Sequence, residues 1–358
     1  MIGIDIFAGA GGMSLGASLA GIDVQFAVEN DPWACGTFRR NHPNTVIHEV
    51  DIRNVTAKTL KPWMEFADSL VLFGGPPCQG FSWSNAKTRN NANSHNWLFR
   101  EFIRVARILK PGWIVFENVQ GFVDTEGGMF RETTERCFVE LGYSIWTDRL
   151  NAIDYGVPQD RTRFFLVGTK HAIAFEFPRR RRRRITVDDA IRDLPVLQSG
   201  HSQCWMQYGR KLPSTYAKRM RGNRKGCCNH LVTQNAEFVL ERYSYVPQGG
   251  NWENIPESMM ENYTDRTRCH TGIYHRLFGK RPSIVIGNFR KNMLIHPYQD
   301  RGLSVREAAR LQSFPDRYEF VGSIGFQQQQ VGNAVPPLLA KSVFSSILKA
   351  DKERPRQA

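Results

Sequence analysis

A chain of 358 residues, 41% of them hydrophobic, is long enough for one large domain and a smaller one, and it contains no run of about 18 apolar residues to span a membrane. Its formal net charge of +14, from 48 basic against 34 acidic residues, favours a polyanionic partner, nucleic acid being the commonest; solubility alone is the bland alternative. The opening MIGIDIFAG reads as a strand and turn rather than a signal peptide, so the seven cysteines are expected as reduced thiols in a cytoplasmic setting.

In chain order, apolar runs predict strands at Ile2–Phe7, Val24–Val28, Thr45–His48, Leu70–Phe73, Ile114–Glu117 and Phe164–Thr169. Helical patterns fall between them at Met13–Ala20, Pro32–Asn41, Trp97–Leu109 and Phe130–Leu141. Such alternation predicts an α/β fold, a doubly wound parallel sheet covered on both faces. The pattern stops near Phe177-Pro178, where six arginines follow, Arg179 to Arg184. Blocks of like charge are most often solvated. To about residue 300 the chain is polar, aromatic and turn-rich, with scattered strand signals such as Ser283–Gly287, and reads as a smaller, irregular domain. Helix returns at Ser304–Gln312, where Ser304 and Glu307 form a capping-box signature and Pro315 ends the segment. Gly332–Leu348 reads as a loop and a closing amphipathic helix that packs back on the first domain. The expected division is 1–175, then 176–316 including the 304–316 helix motif, then a return segment 317–358.

The residues that carry chemistry sit at predicted strand ends. Gly74–Ser82, GGPPCQGFS, puts Cys78 in a rigid Gly/Pro loop directly after a buried strand, at the edge where α/β enzymes keep their chemistry. Burial does not explain a cysteine between Pro77 and Gln79, and a lowered pKa would make it a thiolate nucleophile. Phe7-Ala-Gly-Ala-Gly-Gly12 opens a helix and lets backbone approach a ligand, but Ser14 stands where the dinucleotide pattern needs its third glycine. Glu29, ending the second strand, could grip a ribose diol, and Asp51, after the third, an adenine amino group. A nucleoside site without a diphosphate fits S-adenosylmethionine better than a nicotinamide dinucleotide. Glu117-Asn118-Val119 could hydrogen-bond a heterocycle and stabilise its protonated form. Gln159, Arg161 and Arg163 alternate along an extended segment, which places them on one face, suited to phosphate or to orienting a base. Cys204, Cys227, Cys228 and Cys269, with His201, His230 and His270, match no standard zinc spacing, so no metal is expected.

Taken in order, DIFAGAGG, GGPPCQGFS, ENV, DYGVPQDRTR, LSVREAARLQSFPD and QVGNAVPP resemble the DNA cytosine-5 methyltransferase family, of the bacterial and phage modification type. The resemblance covers about 180 residues at the start and about 60 at the end, and implies that the variable middle is a target-recognition domain. It implies that Cys78 adds to carbon 6 of a flipped-out cytosine, while Glu117 holds ring nitrogen 3 and the exocyclic amine. Arg161 and Arg163 would position the base and its flanking phosphate, and Gln159 would support the loop. S-adenosylmethionine would contact Phe7, Gly9, Gly11, Gly12, Glu29, Asp51, Ile52, Pro77, Leu98, Asn333 and Ala334. Asn30 follows Glu29 where relatives carry an aromatic group over the adenine. The loop from Cys78 to about Asn96 would close over the base. Double-stranded DNA is the implied partner, a monomer the implied state, and a restriction endonuclease acting on the same site an implied companion.

Three alternatives remain at this level. The same chemistry could act on tRNA, although the long basic insert favours duplex DNA. A nicotinamide oxidoreductase is disfavoured by Ser14 and the PPCQ loop, and a non-catalytic DNA-binding protein by the intact Cys78, Glu117, Arg161 and Arg163.

Overall fold

The computed structural model describes residues 1–77, 97–261, 271–287, 289 and 293–354. Its backbone packing divides the chain into two compact units. The first comprises Met1–Asn151, Thr162–Arg180 and the chain from Pro337 onward; the second comprises Ala152–Arg161 and Arg181–Pro336. The boundaries expected from sequence at 175/176 and 316/317 compare with changes of unit at 180/181 and 336/337, and the ten residues Ala152–Arg161 make an earlier excursion.

The first unit is built on seven strands, β1 (Ile2–Ile6), β2 (Asp23–Glu29), β3 (Val46–Glu49), β4 (Leu70–Gly74), β5 (Trp113–Val119), β6 (Ser144–Asn151) and β7 (Thr162–Thr169). They form one sheet in the order β3-β2-β1-β4-β5-β7-β6. β1 to β5 are mutually parallel, whereas β7 lies antiparallel between β5 and β6. The doubly wound, mostly parallel sheet expected from sequence is present, with β7 as an antiparallel addition, and β6 has no counterpart among the predicted strands. A parallel neighbour requires a crossover of a dozen or more residues, usually a helix, and only ten residues separate Asn151 from Thr162. The return strand therefore runs antiparallel. β6 is an edge strand with one buried residue in eight, so its sequence, SIWTDRLN, carries no apolar run to announce it.

Helices α1 (Gly12–Ala20), α2 (Pro32–Asn41), α3 (Ala57–Met64), α4 (Phe99–Leu109), α5 (Gln120–Asp124) and α6 (Met129–Glu140) connect the parallel strands and β6. Ile4, Ile6, Phe26, Leu70, Leu72, Ile114 and Phe116 from the strands meet Phe99, Phe102, Leu109, Phe130 and Phe138 from α4 and α6 in one apolar core. α4 shows why it forms: Phe99, Phe102, Ile103, Val105, Ala106 and Leu109 recur at helical spacing and are buried.

The second unit carries α7 (Val187–Ile191), β8 (Trp205–Gln207), α8 (Thr215–Arg221), β9 (Gly226–Cys228), α9 (Glu237–Ser244), α10 (Val305–Leu311) and α11 (Ile324–Asn333). β8 and β9 form a two-stranded antiparallel ribbon. α10 opens with the capping box: Ser304 N–H donates to Glu307 Oε2 at 2.8 Å and Glu307 N–H to Ser304 Oγ at 3.0 Å. The last helix, α12 (Pro337–Lys352), returns to the first unit and packs on α1. A Cβ added to Gly16 would stand 2.5 Å from Ala340 Cβ and 2.8 Å from the Pro337 carbonyl, so the helices cross where α1 has no side chain. Among the described residues, no helix is long and apolar enough to cross a membrane.

Candidate active site

In the strand order β3-β2-β1-β4-β5 the chain winds outward in both directions from β1 and β4, a topological switch point. Open α/β sheets bind ligands in the crevice beyond the carboxyl ends of such strands. Four of the sequence-derived segments lie at these ends: the glycine turn after β1, Glu29 closing β2, Asp51 after β3 and the Gly-Gly-Pro-Pro segment after β4. Glu117 lies near the same end of β5, which Val119 closes.

The glycine turn is held by Glu29. Gly9, at φ +54°, donates its N–H to Glu29 Oε2 at 2.8 Å, while Asn30 and Asp31 donate theirs to Glu29 Oε1 at 2.9 Å. Phe7 adopts φ +64°, a left-handed conformation that costs energy for a residue with a Cβ. Gly11 caps α1 at φ +84° and Gly12 begins it. Nothing lies within 4 Å of a Cβ built on Gly9, so its backbone faces open space. Ser14, the residue that breaks the dinucleotide pattern, is buried and donates its hydroxyl to Asp5 Oδ2 at 2.6 Å. Burial pushes the Asp5 carboxyl up to about 8, the hydroxyl of Ser14 opposing and the charge of Glu29 adding. Sequence reasoning had no signal for this pair beyond the absence of the glycine.

Asp51 caps a turn of 3-10 helix, Ile52–Asn54, and accepts a bidentate pair from Arg53 at 2.9 and 2.6 Å. Ile52 is buried in the main core, and Leu98 is half-buried at the N-cap of α4. Asn333 ends α11 and Ala334 caps it, both in the second unit.

The Gly-Gly-Pro-Pro segment approaches its neighbours too closely for side chains. A Cβ on Gly74 would sit 1.8 Å from the Ile6 carbonyl oxygen, and one on Gly75 would sit 2.5 Å from Glu117 Oε2. Pro77, half-buried, is the last described residue before the cysteine; Cys78 and the loop through residue 96 lie outside the described residues. Asn118 ties the segment to β5, its Nδ2 donating to the Pro76 carbonyl at 3.3 Å and its Oδ1 accepting from Val119 N–H.

Glu117 is 6% exposed, and Arg163 Nε lies 3.0 Å from its Oε1. The β5–β7 register explains the pair: Glu117 stands opposite Phe165, so Arg163 is its diagonal neighbour on the same face. Arg163 is half-buried; burial lowers its pKa from the usual guanidinium value and the Glu117 charge opposes that shift. Its Nη1 also donates to the Thr162 carbonyl at 2.8 Å.

Arg161 and Gln159 have other partners. Arg161 donates from Nη1 to the Ile286 carbonyl at 2.9 Å and from Nη2 to the Gly332 carbonyl at 3.0 Å. Gln159 accepts from Ile286 N–H at 2.9 Å and donates to the Leu311 carbonyl at 3.4 Å. Both hold backbone of the second unit, whereas Arg163 belongs to the first. The three residues expected on one face therefore divide, with Arg163 beside Glu117 and the other two as backbone clamps. Among the described residues, no group of three or more His, Cys, Asp or Glu side chains could hold a metal ion.

A carboxylate fixed by a guanidinium, next to a glycine loop that leads to a cysteine, can hydrogen-bond a planar heterocycle presented to that thiol. The family model for C-5 cytosine-specific DNA methylases matches residues 1–349. The type II methyltransferase M1.HphI of Haemophilus parahaemolyticus is 36% identical over 349 residues, 97% of this chain and 86% of that one. M.XorII of Xanthomonas oryzae is 34% identical over 380 residues, covering 99% and 86%. Among solved structures, a DNA modification methyltransferase encoded within an Escherichia coli prophage superposes with a TM-score of 0.79 at 27% identity, covering 98% of this chain and 99% of that one. The chain belongs to the C-5 cytosine-specific DNA methylase family and is a DNA (cytosine-5)-methyltransferase.

Proposed function

We propose that the enzyme transfers a methyl group from S-adenosylmethionine to carbon 5 of a flipped-out cytosine in a specific duplex sequence, through a covalent adduct with Cys78. The observation that carries this reading is Glu117, buried at the end of β5, ion-paired to Arg163 and touching the glycine segment four residues or fewer from Cys78. In this reading the Cys78 thiolate adds to carbon 6. Glu117 holds nitrogen 3 in its protonated form and accepts from the exocyclic amine, so the electron pair of the 5,6 double bond becomes available at carbon 5. Carbon 5 takes the methyl group, loses its proton to a base, and elimination of the thiolate restores the aromatic ring. Arg163 keeps Glu117 oriented, and Arg161 holds the backbone at Ile286 and Gly332. The base must leave the helix, because a stacked cytosine offers no face to a thiol.

The donor fits the residues present. The open backbone at Gly9, the amide-held carboxylate of Glu29, and Asp51 with Ile52 offer a surface for a nucleoside and no third glycine for a diphosphate. When bound, S-adenosylmethionine supplies the electrophilic methyl group. Glu29 accepts from the ribose hydroxyls, and Phe7, Gly11, Gly12, Pro77 and Leu98 complete the walls. The second unit reads the DNA sequence, and the enzyme works as a cytoplasmic monomer; the type II names of its relatives support a companion restriction nuclease.

The test is incubation of the purified protein with S-adenosylmethionine and unmethylated genomic DNA, followed by sequencing for 5-methylcytosine. Methylation confined to one short motif, abolished in Cys78→Ser, is expected. No methylation in a sample that binds S-adenosylmethionine would overturn the substrate, and unchanged transfer by Cys78→Ser would overturn the mechanism.

A further inference from the structure

Six consecutive arginines, Arg179–Arg184, mark the place where the chain leaves the first unit and enters the second. All six are exposed, in a stretch without helix or strand. Arg179 and Arg181–Arg184 have no carboxylate partner among the described residues. The preceding acid is Glu176 and the next are Asp188 and Asp189, so the positive charge is not neutralised along the chain either. Removing six of +14 charges would leave +8, so this one segment supplies nearly half of the net charge. Adjacent like charges repel one another, and no ion pair from the five arginines just named offsets that repulsion within the described residues.

The spacing identifies what would neutralise them. A chain without helix rises about 3.3 Å per residue when extended, so six residues span at most about 20 Å. The phosphates of one strand of B-DNA rise about 3.4 Å each along the axis and also wind around it, so they lie farther apart than adjacent residues; with side chains alternating between faces, about three of the six arginines can meet successive phosphates of one strand. We propose that Arg179–Arg184 is a sequence-independent phosphate-binding strap that adds affinity for the duplex through counterion release, without reading bases. The proposal rests on duplex DNA being the substrate. Guanidinium groups suit it, since each offers a planar fork of donors to phosphate oxygens. Phosphate bonds of this kind position a protein on DNA and carry no sequence information directly.

The test is DNA binding by fluorescence anisotropy on a duplex of random sequence, between about 50 and 200 mM NaCl. The full-length protein is compared with a variant carrying glutamine at 179 to 184. A charge-matched control carries Lys58→Gln, Lys61→Gln, Arg107→Gln, Arg136→Gln, Lys349→Gln and Lys352→Gln, all in the first unit and away from the strap in sequence. Each phosphate that the protein ceases to neutralise lowers the slope of log K against log salt by about 0.9, so freeing three phosphates lowers it by about 2.7. Over that fourfold salt range, such a fall makes affinity decline roughly 40-fold less in the strap variant than in the wild type. The control is expected to change the slope by less than about 0.9, the value for a single phosphate. The sequence methylated is expected to stay the same in the strap variant.

An unchanged slope in the strap variant, or an equal fall in the control, would overturn the proposal, the first showing solvated side chains and the second a net-charge effect. A change in the methylated sequence would also overturn it, because the segment would then read bases. If the wild type binds duplex but transfers no methyl group, the catalytic reading fails while the slope comparison still decides the strap.

Discussion

Glu117 can serve a cytosine only if its carboxylate is held still, and three neighbours do this. Arg163 pairs with one oxygen, Gly75 leaves the space the other occupies, and Asn118 fastens the following backbone to Pro76. Gly75→Ala brings a methyl group to 2.5 Å from Glu117 Oε2, with the Glu117 carbonyl at 3.5 Å behind it, so the carboxylate must swing away. Misplacement of a catalytic group by about 1 Å costs on the order of 100-fold in rate. Gly75→Ala is therefore expected to lower kcat by about that factor, with S-adenosylmethionine binding retained, measured by single-turnover methylation and calorimetry. A rate within twofold of wild type would refute the argument. Glu117→Gln keeps the shape but cannot hold a protonated ring nitrogen in the same way, and should lose as much or more. The places of Glu117 and of the Gly-Gly-Pro-Pro segment at strand ends were legible in sequence because each closes or follows a buried apolar run. The need for Gly75 was not, since it arises from a neighbour 42 residues away. The division of Arg161 from Arg163 was likewise hidden, because alternation along a strand says which face a side chain takes and nothing about what covers that face.

Elements in this chain are anchored by features of opposite kinds. Where α1 crosses α12, Gly16 allows backbone-to-backbone approach, and a larger residue meets Ala340 Cβ at 2.5 Å and Lys341 N at 2.8 Å. Gly16→Val should cost about 1–3 kcal/mol by forcing the helices apart, lowering Tm by several degrees, and calorimetry would check it. α10 uses charge instead. Arg310, fully buried, reaches Asp193 at 2.5 Å and both oxygens of Asp316 at 2.6 and 2.9 Å, and Tyr208 also donates to Asp316. Arg301 pairs with Glu307, the same residue that closes the capping box. Arg310→Met would take from the enclosed Asp316 its bidentate partner and leave Asp193 with Arg221 alone, a loss of about 3–5 kcal/mol, seen as a reduced denaturant midpoint. A midpoint equal to wild type would refute the buried network as an anchor. The capping box was legible because its signature is local. The burial of Arg306 and Arg310 was not, since arginine is seldom fully buried and its partners, Asp193, Asn229 and Cys228, come from distant chain. β6 escaped for the related reason that an exposed edge strand has no apolar run.

Across the whole molecule, buried titratable groups oppose one another and fix where stability peaks. Burial pushes His230 and His296 down to about 4, with the Glu307 charge opposing, and lowers His275 in the same direction. Each is neutral in the folded protein, whereas in the unfolded chain it takes up a proton below about 6.5. Their contribution is therefore complete above about 6.5 and is lost as pH falls toward 4. Glu307 and Asp316, whose pKa values end below their usual ones because the charges of Arg301 and Arg310 outweigh burial, add a further loss below about 4.5. Asp5 acts the other way. Its folded value of about 8 means that it keeps a proton which the unfolded chain releases near 4, so its contribution is complete below about 4 and is lost as pH rises to 8. Between about 5 and 6.5 unfolding takes up more protons on the histidines than it releases from Asp5, and stability rises with pH; from 6.5 to 8 only Asp5 remains and stability falls. Tm should therefore pass through a maximum near pH 6.5. Asp5→Asn, which supplies a neutral group of the same shape to the Ser14 hydroxyl, should convert the fall between 6.5 and 8 into a plateau. That plateau should extend to about 9, where Cys35 and Cys227, both pushed up to about 12 by burial, begin to hold protons that the unfolded chain gives up. Calorimetry of both proteins from pH 5 to 9 decides it: parallel curves would show that Asp5 is ionised in the fold, and a wild-type maximum at or above pH 8 would show the same.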